Sequence, residues 1–163
     1  FLLLCLRTAR QGGTSKLASV AALFNAVLAR RPDLAAVLQQ PFHFDARAPQ
    51  GSGRPRVQSV PMLCHHAGRM HAIQKRFYIE LAQRFPEVPR LTPAQIEAMD
   101  LVDALCNDPD FHLSFEMRPG DIQIGSNHAV LHSRTQYVDH DDPALKRHLL
   151  RVWLTLPNGP PLP

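Results

Sequence analysis

Six apolar residues open the chain, Phe1-Leu2-Leu3-Leu4-Cys5-Leu6, and Gln11-Gly12-Gly13-Thr14-Ser15 breaks the pattern soon after. The run is too short to span a membrane and lacks the basic region and small-residue cleavage site of a signal peptide, so it predicts a buried strand central in a sheet. Over residues 16–30, Leu17, Val20, Ala21, Phe24, Val27 and Leu28 recur at helical spacing, and Thr14 or Ser15 stands where a cap belongs. A short helix restarts at Pro32 and reaches Leu38; Pro41 ends it, and residues 42–45 read as extended. Residues 46–57 are rich in Pro, Gly, Arg and Ser and form a loop, after which residues 60–63 and 69–73 read as the arms of a hairpin around a His65-His66-Ala67-Gly68 turn.

Two further helices are expected. Residues 75–85 place Phe77, Tyr78, Leu81 and Phe85 inward. The next is opened by Thr92 and Pro93, Gln95 completes a capping box, and Ile96, Met99, Val102, Leu105 and Cys106 make its stripe. Residues 112–117 alternate as a strand, Pro119-Gly120-Asp121 signals a turn, and Ile122 and Ile124 mark a short strand with one buried face. A loop with His128 and His132 follows, and residues 147–154 form another strand.

Composition narrows the class. The chain has 163 residues, 45% hydrophobic and 20% charged, which suits one domain, residues 1–163, with a core of its own. A net charge of +4 without a dense Lys/Arg cluster argues against nucleic-acid binding and fits a small acidic ligand at least as well. Cys5, Cys64 and Cys106 are scattered and odd in number, which points to reduced thiols and a cytoplasmic protein with no membrane partner. Oligomeric state is left open.

The chemistry concentrates near the end. Period-two geometry puts Arg147, Leu149, Arg151 and Trp153 on one face of their strand, and His132 precedes the two arginines by fifteen and nineteen residues. Two guanidinium forks sharing a buried face require an anion, and a dicarboxylate suits them; a neutral imidazole nearby could ligate a metal chelated by the same ligand. The plainer alternative is a pair of surface arginines with an ordinary histidine. His65, His66 and His71 match no zinc spacing and read as turn and surface histidines. His43-Phe44-Asp45 places a histidine and a carboxylate on one strand face, so with His132 it could pass for a complete iron site.

Three segments carry a resemblance: Gly120-Asp121-Ile122-Gln123, then Asn127-His128-Ala129-Val130-Leu131-His132-Ser133-Arg134-Thr135, then Lys146-Arg147-His148-Leu149-Leu150-Arg151-Val152-Trp153-Leu154. They resemble the C-terminal motifs of the taurine dioxygenase-like family of iron(II) and 2-oxoglutarate-dependent oxygenases, which includes clavaminate synthase-like and gamma-butyrobetaine hydroxylase-like enzymes. The resemblance implies an α+β fold, a double-stranded β-helix or jelly-roll core with flanking helices. It implies His132 as the distal iron ligand, with His128 a packing residue beside it, and Arg147 and Arg151 as the grip on the cosubstrate 2-oxoglutarate. It also gives Ser15, in a Gly-Gly-x-Ser element, a hydroxyl role toward that cosubstrate, beside its alternative as a helix cap. In the family the remaining ligands, a His-x-Asp or His-x-Glu, precede that element. His43 follows it here, so the expected motif lies upstream of Phe1 and the chain is read as an N-terminally incomplete fragment, inactive alone. Ser126 and Gln136-Tyr137 depart from the family pattern and are expected to line the substrate side. The implied activity is hydroxylation of a small organic substrate, with release of succinate and carbon dioxide; the alternative is a non-catalytic jelly-roll binding protein.

Overall fold

The computed structural model describes residues 1–49, 51–155 and 157–159. The opening apolar run forms β1, Leu2–Arg7, which lies between two antiparallel partners as a run apolar on both faces should. β2 (Gln11–Gly12) and β3 (Ser15–Ser19) follow, then helices α1 (Val20–Arg30) and α2 (Pro32–Leu38) and strand β4 (Pro41–Asp45). β5 (Val57–Pro61), β6 (Leu63–His66) and β7 (Arg69–Ala72) precede α3 (Arg76–Ala82) and α4 (Pro93–Asn107). β8 (His112–Phe115), β9 (Ile122–Ile124), β10 (Val130–Arg134), β11 (Tyr137–Val138) and β12 (His148–Val152) complete the order.

Two three-stranded antiparallel sheets frame the interior, one ordered β12-β1-β9 and the other β10-β3-β8, with β11 and β2 pairing beside them. Each sheet is assembled from strands distant in sequence, the α+β double-stranded β-helix arrangement expected. The helices lie on the outer side of the second sheet. There Ala18 and Leu131, opposite each other on β3 and β10, pack against Leu23, Val27, Leu34, Leu38, Met99 and Leu105. No helix among the described residues is long and apolar enough to cross a membrane.

Several expectations are corrected. Residues 16–19 are strand, because β3 is held on both sides by β10 and β8; the helix starts at Val20, and its cap is Ser19, whose hydroxyl accepts from the N–H of Ala22. Neither Thr14 nor Ser15 caps it, and Leu28 is exposed whereas Leu23 is buried. The hairpin arm begins at Leu63, Val60 being paired with Phe42 in β5, and only Ala67 and Gly68 make the turn, both with positive φ as a tight hairpin requires. On α3 the buried residues are Ile79 and Ala82, whereas Phe77 is exposed. The α4 capping box forms as read, although Ile96 lies on its exposed side.

The strand at Ile122–Ile124 is turned over. Register with β1 sets Gln123 opposite Leu3, and Gln123 is the buried residue while both isoleucines are exposed. The outer face of that sheet therefore presents Leu2, Leu4, Ile122, Ile124, Leu150 and Val152, paired across β9, β1 and β12.

Candidate functional site

Alternation along β10 decides where His132 goes. Leu131 faces the helices, so His132 and its partner Leu17 lie on the opposite face, toward the other sheet. There the ring of Phe1 stacks on the imidazole, with centroids 4.2 Å apart and planes 17° from parallel. Phe1 is admitted by Gly125: its carbonyl accepts the Gly125 N–H at 3.0 Å, and a Cβ on Gly125 would lie 2.9 Å from two atoms of the ring. Partial desolvation lowers the pKa of His132, although the residue is exposed on its strand, and the positive charge of Arg151 lowers it further. Both effects favour the neutral imidazole, the form that ligates a metal.

Arg151 stands opposite Leu3 on β1, and its guanidinium lies 5.4 Å from the Trp153 ring centroid. Arg147, two positions beyond Leu149 on the same face, lies over the ring of Tyr137 at 5.3 Å, and Arg134 covers that ring at 4.3 Å. The Arg147 N–H donates to Asp139 Oδ1 at 2.7 Å. Arg147 borders a cleft of about 420 Å³ with Cys5, Gly12, Glu116, Arg118 and Leu149. Burial pushes the Cys5 thiol up; the Arg147 charge opposes this and Asp121 adds to it. Among the described residues, the arginine ion pairs are those of Arg10, Arg31, Arg76 and Arg84, which leaves Arg147 and Arg151 without a carboxylate. The buried face expected for this pair does not form, since Arg147 is half-buried and Arg151 exposed, so desolvation does not by itself demand an anion. Two unanswered guanidinium groups on one face can still hold the two ends of a dicarboxylate or share one carboxylate.

The Gly12-Gly13 turn is drawn into the same place. Thr135 Oγ1 accepts the N–H groups of Gly13 and Thr14 at 3.1 and 3.0 Å, and the Thr135 N–H donates to the Thr14 carbonyl at 2.9 Å. Both glycines have positive φ; a Cβ on Gly12 would meet the Gln136 carbonyl oxygen at 2.3 Å, and one on Gly13 would approach Arg147 Nε at 3.3 Å. Ser15 follows, buried, opposite Arg134 and Phe115 on the strand face that also carries Leu17 and, across the pair, His132. The structure thus gathers His132, Arg151, Arg147 and Ser15 on facing sheets. Sequence reasoning did not find the Phe1 stack or the Thr135 clamp. Tyr137, expected on the substrate side as a departure from the family pattern, lies against the guanidinium groups of Arg134 and Arg147.

The other histidines stand apart. Asp45 is committed elsewhere: Oδ2 pairs with Arg84 at 2.6 Å and Oδ1 accepts the Arg47 N–H at 2.7 Å. Among the described residues no three His, Cys, Asp or Glu side chains converge as a metal would require, so His43, Asp45 and His132 do not form a triad. His71 is not at the surface as expected; it is buried, edge-on to His66 at 6.0 Å and to His128 at 5.7 Å. His128 thereby packs behind the site, and burial, with His71 second, lowers its pKa. Its carbonyl accepts the Ala72 N–H at 3.0 Å, which ties the loop before β10 to β7.

Over residues 1–153 the sequence matches the family described as taurine catabolism dioxygenase TauD, TfdA family. The chain belongs to that family. It is 28% identical over 172 residues to FR-33289 synthase of Streptomyces rubellomurinus, a match covering 99% of this chain and 48% of that protein. It is 30% identical over 156 residues to a taurine hydroxylase-like protein of Stachybotrys chartarum, covering 92% of this chain and 38% of the other. The chain therefore spans less than half the length of these curated relatives. Among solved structures, an asparagine oxygenase in complex with Fe(II), 2S,3S-3-hydroxyasparagine and succinate superposes with a TM-score of 0.64 at 20% identity, over 91% of this chain and 42% of that one. A taurine dioxygenase from Burkholderia xenovorans gives 0.57 at 18%, over 91% and 50%. These structures share the fold of the chain, jelly-roll core included.

Proposed function

We propose that this chain supplies the distal part of the cofactor site in an iron(II) and 2-oxoglutarate-dependent dioxygenase that hydroxylates a small organic substrate. The carrying observation is that Arg147, just before β12, and Arg151 within it share one face, the first half-buried and the second exposed, with no carboxylate partner among the described residues and with the Arg151 charge acting on His132. The donor set fits iron in part: His132 would be one protein ligand, and the others would come from a His-x-Asp or His-x-Glu in the remaining length that the relatives possess. Bound iron(II) with 2-oxoglutarate would supply oxygen activation coupled to release of succinate and carbon dioxide. Arg147 and Arg151 would grip the oxoacid carboxylates, and Ser15 would donate its hydroxyl to the same ligand. The Phe1 and Tyr137 rings would cover one face each of the imidazole and of the Arg147 guanidinium. Three free cysteines fit a reducing, cytoplasmic setting.

The test is anaerobic calorimetry of the full-length protein with 2-oxoglutarate in the presence of iron(II). Replacing Arg147 or Arg151 with leucine removes a charge-assisted contact worth about 1.5–3 kcal/mol, so the dissociation constant should rise roughly ten- to hundredfold. Unchanged affinity in both variants would overturn the oxoacid site. Absence of oxoacid-dependent succinate formation in the wild type, with binding intact, would favour a non-catalytic binding protein.

A further inference from the structure

We propose that Phe1 is a positioning residue for His132: its ring, lodged against Gly125, fixes the plane of the imidazole before a metal is bound. The inference rests on His132 being the iron ligand and adds a residue through which that ligand is held.

A metal-ligating histidine is ordinarily oriented by a hydrogen bond to its second ring nitrogen. Here β10 is an edge strand, and His132 is exposed on it. The side-chain hydrogen bonds around it are made by Arg134 and Thr135. The imidazole is held by a nearly parallel aromatic ring at 4.2 Å instead. That ring is itself fixed. Phe1 immediately precedes the central strand of the facing sheet; its carbonyl accepts the Gly125 N–H at 3.0 Å, and its side chain occupies the space where Gly125 lacks a Cβ. Gly125 has no positive φ to explain it, in contrast to six other glycines of the chain. Its lack of a side chain makes room for the Phe1 ring. The chain of contact therefore runs from the β1–β9 backbone ladder through Gly125 and Phe1 to the imidazole. An aromatic stack of this kind contributes about twofold to tenfold in the equilibrium it biases.

The experiment uses the full-length protein, with iron(II) titrated anaerobically in the presence of saturating 2-oxoglutarate. The charge-transfer absorption of the ternary complex is recorded alongside affinity. Phe1→Leu keeps the apolar volume but not the flat ring, and should weaken iron(II) binding about two- to tenfold and shift or broaden the absorption band. Phe1→Tyr should restore both. Gly125→Ala should reproduce the Phe1→Leu result, because its Cβ displaces the ring. Oxoacid affinity measured without metal should stay at the wild-type value in all three variants. If Gly125→Ala melts without a cooperative transition, the comparison of leucine with tyrosine at position 1 decides alone. Iron affinity and absorption unchanged in Phe1→Leu, or equal weakening in leucine and tyrosine variants, would overturn the positioning role while leaving the oxygenase reading intact. Failure of the wild type to bind iron(II) at all would overturn both, and the arginine variants above separate the two cases.

Discussion

The guanidinium of Arg147 lies over the ring of Tyr137, 5.3 Å from its centroid, and Gly13 leaves it the space to do so. A cation held on an aromatic face loses little further freedom when a carboxylate arrives. Replacing Tyr137 with leucine should therefore weaken 2-oxoglutarate binding by about two- to fivefold, from a contact worth roughly 0.5–1 kcal/mol, without removing it. Calorimetry on the full-length protein measures this, and a loss as large as that of Arg147→Leu would mean that the ring touches the ligand itself.

Two glycine substitutions separate backbone strain from site geometry. Gly13 and Gly68 both have φ near the left-handed region, at 80° and 75°, so alanine at either costs about 1–2 kcal/mol of stability. An added Cβ at Gly68 meets nothing within 4 Å, whereas at Gly13 it crowds Arg147 Nε. Both variants should melt earlier by similar amounts in a thermal scan. Only Gly13→Ala should also bind 2-oxoglutarate more weakly.

Asp45 is expected to matter for stability and not for metal. Asp45→Ala removes the ion pair to Arg84 and the acceptor for the Arg47 N–H, a loss of about 1–2 kcal/mol because Arg84 is itself half exposed. Chemical denaturation should show that loss, while iron(II) titration of the full-length protein should be unchanged in Asp45→Ala and in His43→Ala. Iron binding abolished by His43→Ala would restore the internal triad.

His128 gives the fold a pH dependence of known sign. Its folded-state pKa is below the ordinary value of 6.5, so below that pH the unfolded chain takes up a proton that the folded chain resists. The contribution of His128 to stability is complete above pH 6.5 and is lost as pH falls through the depressed folded value; His132, shifted the same way, adds to it. Melting temperatures measured at pH 7.5 and pH 5.5 should differ, and His128→Asn should reduce the difference. A slope unchanged by that variant would place the acid sensitivity elsewhere.

Features encoded locally were legible. The Thr92 to Gln95 capping box and the apolar run that becomes β1 need only neighbours in sequence; the box formed as read and the run became a central strand, although within β1 Cys5 alone is buried and Leu6 is exposed. Residues 16–19 were misread because Leu17 and Ala18 fit helix and strand alike, and pairing with β8 and β10, about a hundred residues away, settled the matter. Ile122 and Ile124 misled for a related reason: β9 is apolar outside and carries Gln123 inside, an inversion imposed by register with Leu3. In the site, the shared face of Arg147, Leu149 and Arg151 follows from period-two spacing, whereas the roles given to His132, Arg147 and Arg151 came from the resemblance of their motifs. Their orienting neighbours were not legible, since Phe1 meets His132 across nearly the whole length of the chain.

Leu131 and His132 are consecutive residues on a single strand, one packed against the helical core and the other on the face toward the opposite sheet. The imidazole therefore inherits its position from a layer of helices on the other side of the sheet. A core truncation such as Leu105→Ala, costing about 2–5 kcal/mol, would be read out first as a drift in cofactor affinity with temperature, ahead of any visible melting. The packing of α1, α2 and α4 is in that sense part of what places His132.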